Sequence, residues 1–265
     1  MWDIDFISEQ DFYSHVKSTI EHYGTKLAPY DLDKFNNNIV DPIKLIFDKM
    51  VYGLSFEEII KNELFRQRDK ANNNDIGYFH QRIFQYMKDC TVPSSGWDVI
   101  LTRENGIDIK ECGKVKTVYV EMKNKHNTMN SASSGKTYMK MQGQLLKDDD
   151  CACFLVEAIA KKSQNITWQV SVDGLKQKHK RIRRVSMDEF YYTITGEKDA
   201  FYKMCMALPS AIENVIGNSG NISVPKDTVI DELNKIAERK NGSFILALYM
   251  LGFGAYMGFD NQKLN

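Results

Sequence analysis

Val115-Lys116-Thr117-Val118-Tyr119-Val120-Glu121-Met122-Lys123-Asn124 is the stretch on which the fold turns. Val118, Val120 and Met122 alternate with Tyr119, Glu121 and Lys123, so the segment reads as a strand with one apolar and one mixed face. Upstream, the apolar run Trp97-Asp98-Val99-Ile100-Leu101-Thr102 reads as a second strand that ends at an Asn105-Gly106 turn. Downstream, a polar loop over residues 124–135 leads into a helix from about Lys136 to Leu146. Cys151 to Ile159 reads as a buried strand, and Ile166 to Val172 alternates as a half-exposed one.

Outside this centre the period is helical. Ser8 can cap a helix running towards Tyr23, and Ser55 with Glu58 forms a capping box ahead of Ile59, Ile60 and Leu64. Ile76, Phe79, Ile83, Phe84 and Met87 fall on one stripe. Ser186 with Glu189 makes a second capping box, Ala200 to Ile216 is amphipathic, and Thr228 to Arg239 follows Pro225. The order predicts an α/β (α+β) fold, a mixed sheet flanked by helices with helical N- and C-terminal regions. No internal repeat and no Pro/Ser-rich linker is visible, so one domain over 1–265 is expected. Its parts would be a mainly helical region 1–92, a catalytic and DNA-binding core 93–185, and a helical region 186–265.

The 265 residues carry 35 Lys+Arg and 35 Asp+Glu, and zero net charge would ordinarily speak against nucleic acid. The charge is not evenly spread. Residues 1–60 hold a net −6, while 110–147 hold +6 and 161–184 hold +7. A basic block inside an acidic frame is the footprint of one cationic face. The N-terminus has no basic-then-apolar leader pattern, and Phe244 to Phe259, broken by Gly252, Gly254 and Gly258, is too short to span a bilayer. That stretch is expected in the core. The five cysteines contain no C-x-x-C pair, which fits reduced thiols and a cytoplasmic protein.

Asp98, Glu121 and Lys123 carry the chemistry. Glu121 and Lys123 project from one side of their strand, with Asp98 on the neighbouring strand about 5 Å away. Two carboxylates so placed can share a hard cation such as Mg2+, with the backbone carbonyl of Met122 as a further ligand. Such an ion would polarise a scissile phosphate, and Lys123 would orient water or stabilise charge. The spacing alone says little, because Asp108-Ile109-Lys110 and Glu238-Arg239-Lys240 share it. Glu121 stands apart because it lies on a strand, follows a second strand bearing an acid, and opens the cationic block.

Asn124, Lys125, His126, Asn127, Thr128, Asn130, Ser131, Ser133 and Ser134, followed by Lys136, supply donors and acceptors suited to phosphates or base edges. Lys176, Lys178, His179, Lys180, Arg181, Arg183 and Arg184 form a cationic arm, or else a solubilising surface loop. Ser134-Gly135-Lys136-Thr137 imitates the end of a phosphate-binding loop, but that motif needs Gly where this chain has Asn130, so a nucleotide hydrolase ranks below a nuclease. His80 and His126 lack a second His at ligand spacing. Each reads as a phosphate contact or a packed residue.

Glu121-x-Lys123 with upstream Asp98 resembles the PD-(D/E)xK nuclease superfamily. Residues 120–130 (VEMKNKHNTMN) and 135–142 (GKTYMKMQ) resemble, more narrowly, bacterial type II restriction endonucleases of the group that cuts GGNCC. The likeness extends to residues 35–42, 76–81 and 183–186, and so over most of the chain. Gly96-Trp97-Asp98 departs from the family's Pro-Asp, though the acid is kept. The resemblance implies Mg2+-dependent cleavage of double-stranded DNA, a homodimer matching a palindromic site, and a cognate DNA methyltransferase as genetic partner. It also makes Gln142, Gln81 and His80 candidates to support the active site. The competing readings are a DNA-binding protein with an inactive nuclease core and a structure-directed repair nuclease.

Overall fold

In the computed structural model, which describes residues 2–26, 28–172, 174–219, 226–239 and 243–253, the alternating stretch at residues 115–124 is the third strand of a six-stranded sheet. The elements run α1 (Glu9–Lys26), α2 (Leu32–Asn36), α3 (Pro42–Tyr52) and α4 (Phe56–Arg82), then a 3-10 turn over Ile83–Tyr86. The strands β1 (Cys90–Thr91), β2 (Val99–Ile109) and β3 (Gly113–Lys125) follow, then α5 (Ser131–Lys147) and the strands β4 (Cys151–Ile159), β5 (Asn165–Val172) and β6 (Leu175–Ser186). The helices α6 (Met187–Thr195), α7 (Ala200–Ser219), α8 (Val229–Arg239) and α9 (Phe244–Phe253) complete the described chain. The chain forms two compact units, one of Met1–Ile20 with Asp75–Gly220, the other of Glu21–Asn74 with Asn221–Asn265. The boundaries fall inside α1 and α4.

The first unit holds the sheet, in the order β1-β2-β3-β4-β6-β5. The β1/β2, β2/β3 and β5/β6 pairs are antiparallel, whereas β3, β4 and β6 run parallel. A parallel β3/β4 pair needs a crossover, and α5 supplies it. Period-two alternation then assigns the faces. Val118, Val120, Phe154 and Val156 pack with Phe12, Phe84, Phe190 and Tyr191. On the opposite face Cys153, Leu155, Trp168 and Ile182 meet Tyr138, Met141 and Leu145 of α5. The expected mixed sheet between helices is therefore what forms.

Four local expectations are corrected. Asn105-Gly106 does not end β2. It sits in an irregularity between Thr102 and Ile107, with Gly106 at φ +79°, and the chain reverses after Ile109 with Glu111 at φ +67°. Helix α5 begins at Ser131 rather than 136, because the Asn130 side chain accepts the Ser133 N–H as its N-cap. The basic stretch 176–184 is not a loop but most of β6, tied to β4 and β5. Ser186 precedes α6 yet makes no side-chain cap, its hydroxyl being held by Gln164 and Asp188.

The Ser55/Glu58 box forms as read, Ser55 N–H donating to Glu58 at 2.7 Å and Glu58 N–H to Ser55 Oγ at 3.2 Å. It opens α4 in the second unit, whose core joins Phe35, Leu45, Ile59, Ile60 and Leu64 to Val229, Leu233 and Leu248. There Arg68 pairs with Asp227 at 2.6 Å, and Asp227 also accepts the Tyr30 N–H. Residues 244–253 of the apolar C-terminal stretch form α9 in this core, as expected, while 254–259 lie outside the described residues. Among the described residues no helix is long and apolar enough to cross a membrane.

Candidate active site

Val99 pairs with Val120, and Asp98, which precedes that pair, lies close enough to Glu121 for the two carboxylates to repel. Asp98 N–H donates to the Val120 carbonyl at 2.9 Å, which holds the residue in place just ahead of β2. Its carboxylate accepts the Met122 N–H at 2.6 Å and the Gln81 side-chain amide at 3.0 Å. Gln81, expected to support the site, reaches it from the end of α4. Burial pushes the Asp98 carboxyl above the usual carboxylate range, the Met122 N–H opposes this, and the charge of Glu121 adds to it.

Glu121 is gripped from two sides. Lys123 Nζ lies 2.8 Å from Oε1, and Lys140 Nζ lies 2.7 Å from Oε2. Burial disfavours the ionised Glu121, but hydrogen bonds from both ammonium groups outweigh it and hold the carboxyl below its usual range. Lys140 also donates to the Gly96 carbonyl and lies 4.1 Å above the Trp97 ring. Of this helix the family resemblance points to Gln142, whereas the side chain that meets Glu121 is that of Lys140. Gln142 is two residues beyond Lys140, about 200° around the helix, and so belongs to the other flank. Helix periodicity puts Lys140 on the face away from the buried Tyr138 and Leu145, so the sequence carried no local signal for it.

The donor set suits a hard divalent ion. Asp98 and Glu121 offer carboxylate oxygens, and Met122 turns its carbonyl to the same strand edge as the N–H that meets Asp98. Among the described residues no three His, Cys, Asp or Glu side chains cluster as a metal cage. Two carboxylates with the remaining ligands from water and phosphate is the pattern by which Mg2+ is commonly held. The arrangement thus fits Mg2+ and gives no sulfur or imidazole set for a softer metal.

A second charged cluster lies beside Lys123 on β4. Glu157, opposite Lys123 in the parallel register, is fully buried. It accepts from Arg184 Nε at 2.9 Å and meets His126 Nδ1 at 2.9 Å, while Arg184 also donates to the His126 carbonyl. A lone acid in the apolar run of residues 151–159 signals that its partners have to come from elsewhere.

Several expected DNA contacts are therefore committed inside the protein. Arg184 and His126 serve Glu157. Arg183 is fully buried and bonds Asn165, with Glu111 at 3.6 Å. Arg181 donates to the carbonyls of Asp149 and Cys151. It lies five residues along β6 from the level of Lys123, roughly 17 Å at about 3.3 Å per residue. Asn124 packs where a Cβ on Gly77 would come within 3.3 Å of it. Asn130 caps α5, and Thr128 Oγ1 donates to the Lys125 carbonyl. His80 is packed beside Phe79 and is pushed down to about 4, chiefly by burial. Lys125, Asn127, Thr128, Ser133, Lys136 and Lys180 are exposed, and Ser134 is half-buried within α5. Ser134 to Thr137 is helix rather than phosphate loop.

Comparison with known proteins places the chain among the type II restriction endonucleases, which are site-specific deoxyribonucleases acting on DNA. Residues 4–217 match the family described as Eco47II restriction endonuclease, and the chain belongs to that family. It is 30% identical over 221 residues to type II restriction enzyme Sau96I of Staphylococcus aureus, covering 80% of this chain and 81% of the relative. Against type II restriction enzyme Eco47II of Escherichia coli it is 28% identical over 244 residues, 86% of this chain and 95% of the relative. The inactive-core and repair-nuclease readings give way to this membership.

Proposed function

We propose that Asp98, Glu121 and Lys123 form the hydrolytic centre of this restriction endonuclease, with Mg2+ held by Asp98, Glu121 and the Met122 carbonyl. The observation that carries the reading is the proximity to Glu121 of Asp98, tied to β3 through the Val120 carbonyl and the Met122 N–H, with Lys123 Nζ 2.8 Å from Glu121. When bound, Mg2+ supplies Lewis-acid polarisation of the scissile phosphate and acidifies an attacking water. Gln81 and the Met122 N–H fix the Asp98 carboxylate. Lys123 places an ammonium beside the reacting phosphate, where it orients water or offsets the charge that develops. The exposed polar residues that follow β3, from Lys125 to Lys136, then contact the DNA.

The substrate is proposed to be double-stranded DNA with GGNCC-like sites, a reading supported by the motif resemblance and by the likeness to Sau96I. Two-fold symmetry of such a site favours a homodimer, and a cognate methyltransferase would protect host DNA. Exposed Ile43, Phe47, Met50 and Val51 share one stripe of α3 and give a second copy an apolar surface of the kind that contacts bury. The test is plasmid digestion in Mg2+ followed by sequencing of the cut ends. Glu121→Ala and Lys123→Ala are expected to lower cleavage at least about 100-fold, and EDTA to stop it. Wild-type rates in either variant would remove the assignment.

A further inference from the structure

We infer that Lys140 is an internal counter-ion of the metal site, holding Glu121 in the metal-free enzyme and giving up that oxygen when the divalent ion binds. The inference rests on the proposed metal reading of Asp98 and Glu121. The neighbouring carboxylates of Asp98 and Glu121 repel each other in a half-buried setting. Lys123 neutralises one oxygen of Glu121 from the same strand, but the second oxygen takes its proton donor from a different element. Lys140 reaches it from α5 at 2.7 Å, stretched over the Trp97 ring and anchored on the Gly96 carbonyl.

Three contacts from a 39% exposed lysine define a built position for its ammonium rather than a stray surface pair. The position is on the carboxylate that Mg2+ requires. A lone pair of Oε2 pointing at an ammonium proton is not available to a metal, so the ion competes with Lys140 for that oxygen. Like charges a few ångströms apart also repel directly. Lys140 leaves Glu121 without losing all its support, because the Trp97 ring and Gly96 carbonyl lie outside the carboxylate pair. It is a positioning residue. Before loading it holds the Glu121 carboxylate in place, and its presence weakens the affinity for the ion.

Titration calorimetry of the free protein with MgCl2 tests this without reference to cleavage. Four proteins are compared, namely wild type, Lys140→Met, Lys140→Arg and Glu121→Ala. Lys140→Met is expected to bind Mg2+ about tenfold more tightly than wild type, the size that removing one nearby charge gives against a divalent ion at the protein surface. Lys140→Arg, which keeps the charge, is expected to stay near wild type. Mg2+ addition should change Trp97 fluorescence in wild type, as the ring's cation shifts, but not in Lys140→Met. Equal or weaker Mg2+ binding by Lys140→Met overturns the inference. Undiminished binding by Glu121→Ala overturns the underlying metal site instead, and circular dichroism of the exposed-site variants separates both from misfolding.

Discussion

His80 and Lys140 show how differently two polar residues on helices behave once packing is set. His80 is neutral because burial, with His15 nearby, pushes it down to about 4, and His15 is itself lowered by burial with Arg82 adding to the effect. In the unfolded chain a histidine takes its proton near pH 6.5, whereas folded His80 resists until about 4. Its stabilisation is thus complete above pH 6.5 and is lost as pH falls towards 4. The expected loss is on the order of 2–3 kcal/mol. Urea midpoints near pH 7 and pH 4.5 measure it, and His80→Gln should show a shallower pH dependence than wild type. A steeper or unchanged one would refute the assignment. Lys140, by contrast, is close to the surface and yet central to the site. The sequence could show that α5 carries both Lys140 and Gln142, but which flank faces Glu121 depends on how Tyr138 and Met141 seat against Trp168 and Leu155. Asp98, Glu121 and Lys123 were legible because strand alternation and adjacency are local facts.

At the scale of elements, β3 and β4 were readable from their own apolar period, the box that opens α4 from four residues, and residues 244–253 as core though not as a helix. Strand β6 was not. Its Lys and Arg residues read as a solvated arm, and what makes it a strand is pairing with β4 and β5. Arg183 is tolerable in the interior because Asn165 and Thr167 come from the neighbouring strand. Gly106 was read as a turn for a sound reason, since its positive φ does suit a glycine, but the context is an irregularity inside β2. An added Cβ there would meet Lys114 at 3.2 Å in a backbone region disfavoured for other residues. Gly106→Ala is expected to destabilise the protein by about 1–2 kcal/mol. Thermal melting reads this as a drop of a few degrees, about 2–4 °C per kcal/mol in a chain of this size. Cleavage should persist, because Gly106 lies near Lys114, at the other end of β3 from Glu121.

For the molecule as a whole, neutrality conceals a cationic block, but internal pairing thins it. Arg181, Arg183 and Arg184 are engaged within the protein, whereas Lys125, at the end of β3, and Lys136, in α5, are exposed. DNA affinity is expected to fall steeply with salt, each phosphate contact contributing about −0.9 to the slope of log K against log salt. Replacing Lys125 and Lys136 by Gln should flatten that slope by about two contacts, measured by fluorescence anisotropy in Ca2+. An unchanged slope would show that DNA passes elsewhere.

The interleaving of the two units has a consequence for synthesis. Residues 2–20 join a core completed by Val185 and Phe190, and residues 28–74 join one completed by α8 and α9. At roughly 5–20 residues per second, the early helices wait about 10–40 s on the ribosome for their partners. The carboxylate pair forms from β2 and β3, but the Glu157 cluster beside it needs Arg184. A chain halted at residue 160 would carry both acids without that support, and arrested nascent chains of that length should not cut DNA. A cell making this enzyme thus receives its activity late in each round of translation, a built-in delay in the release of a nuclease.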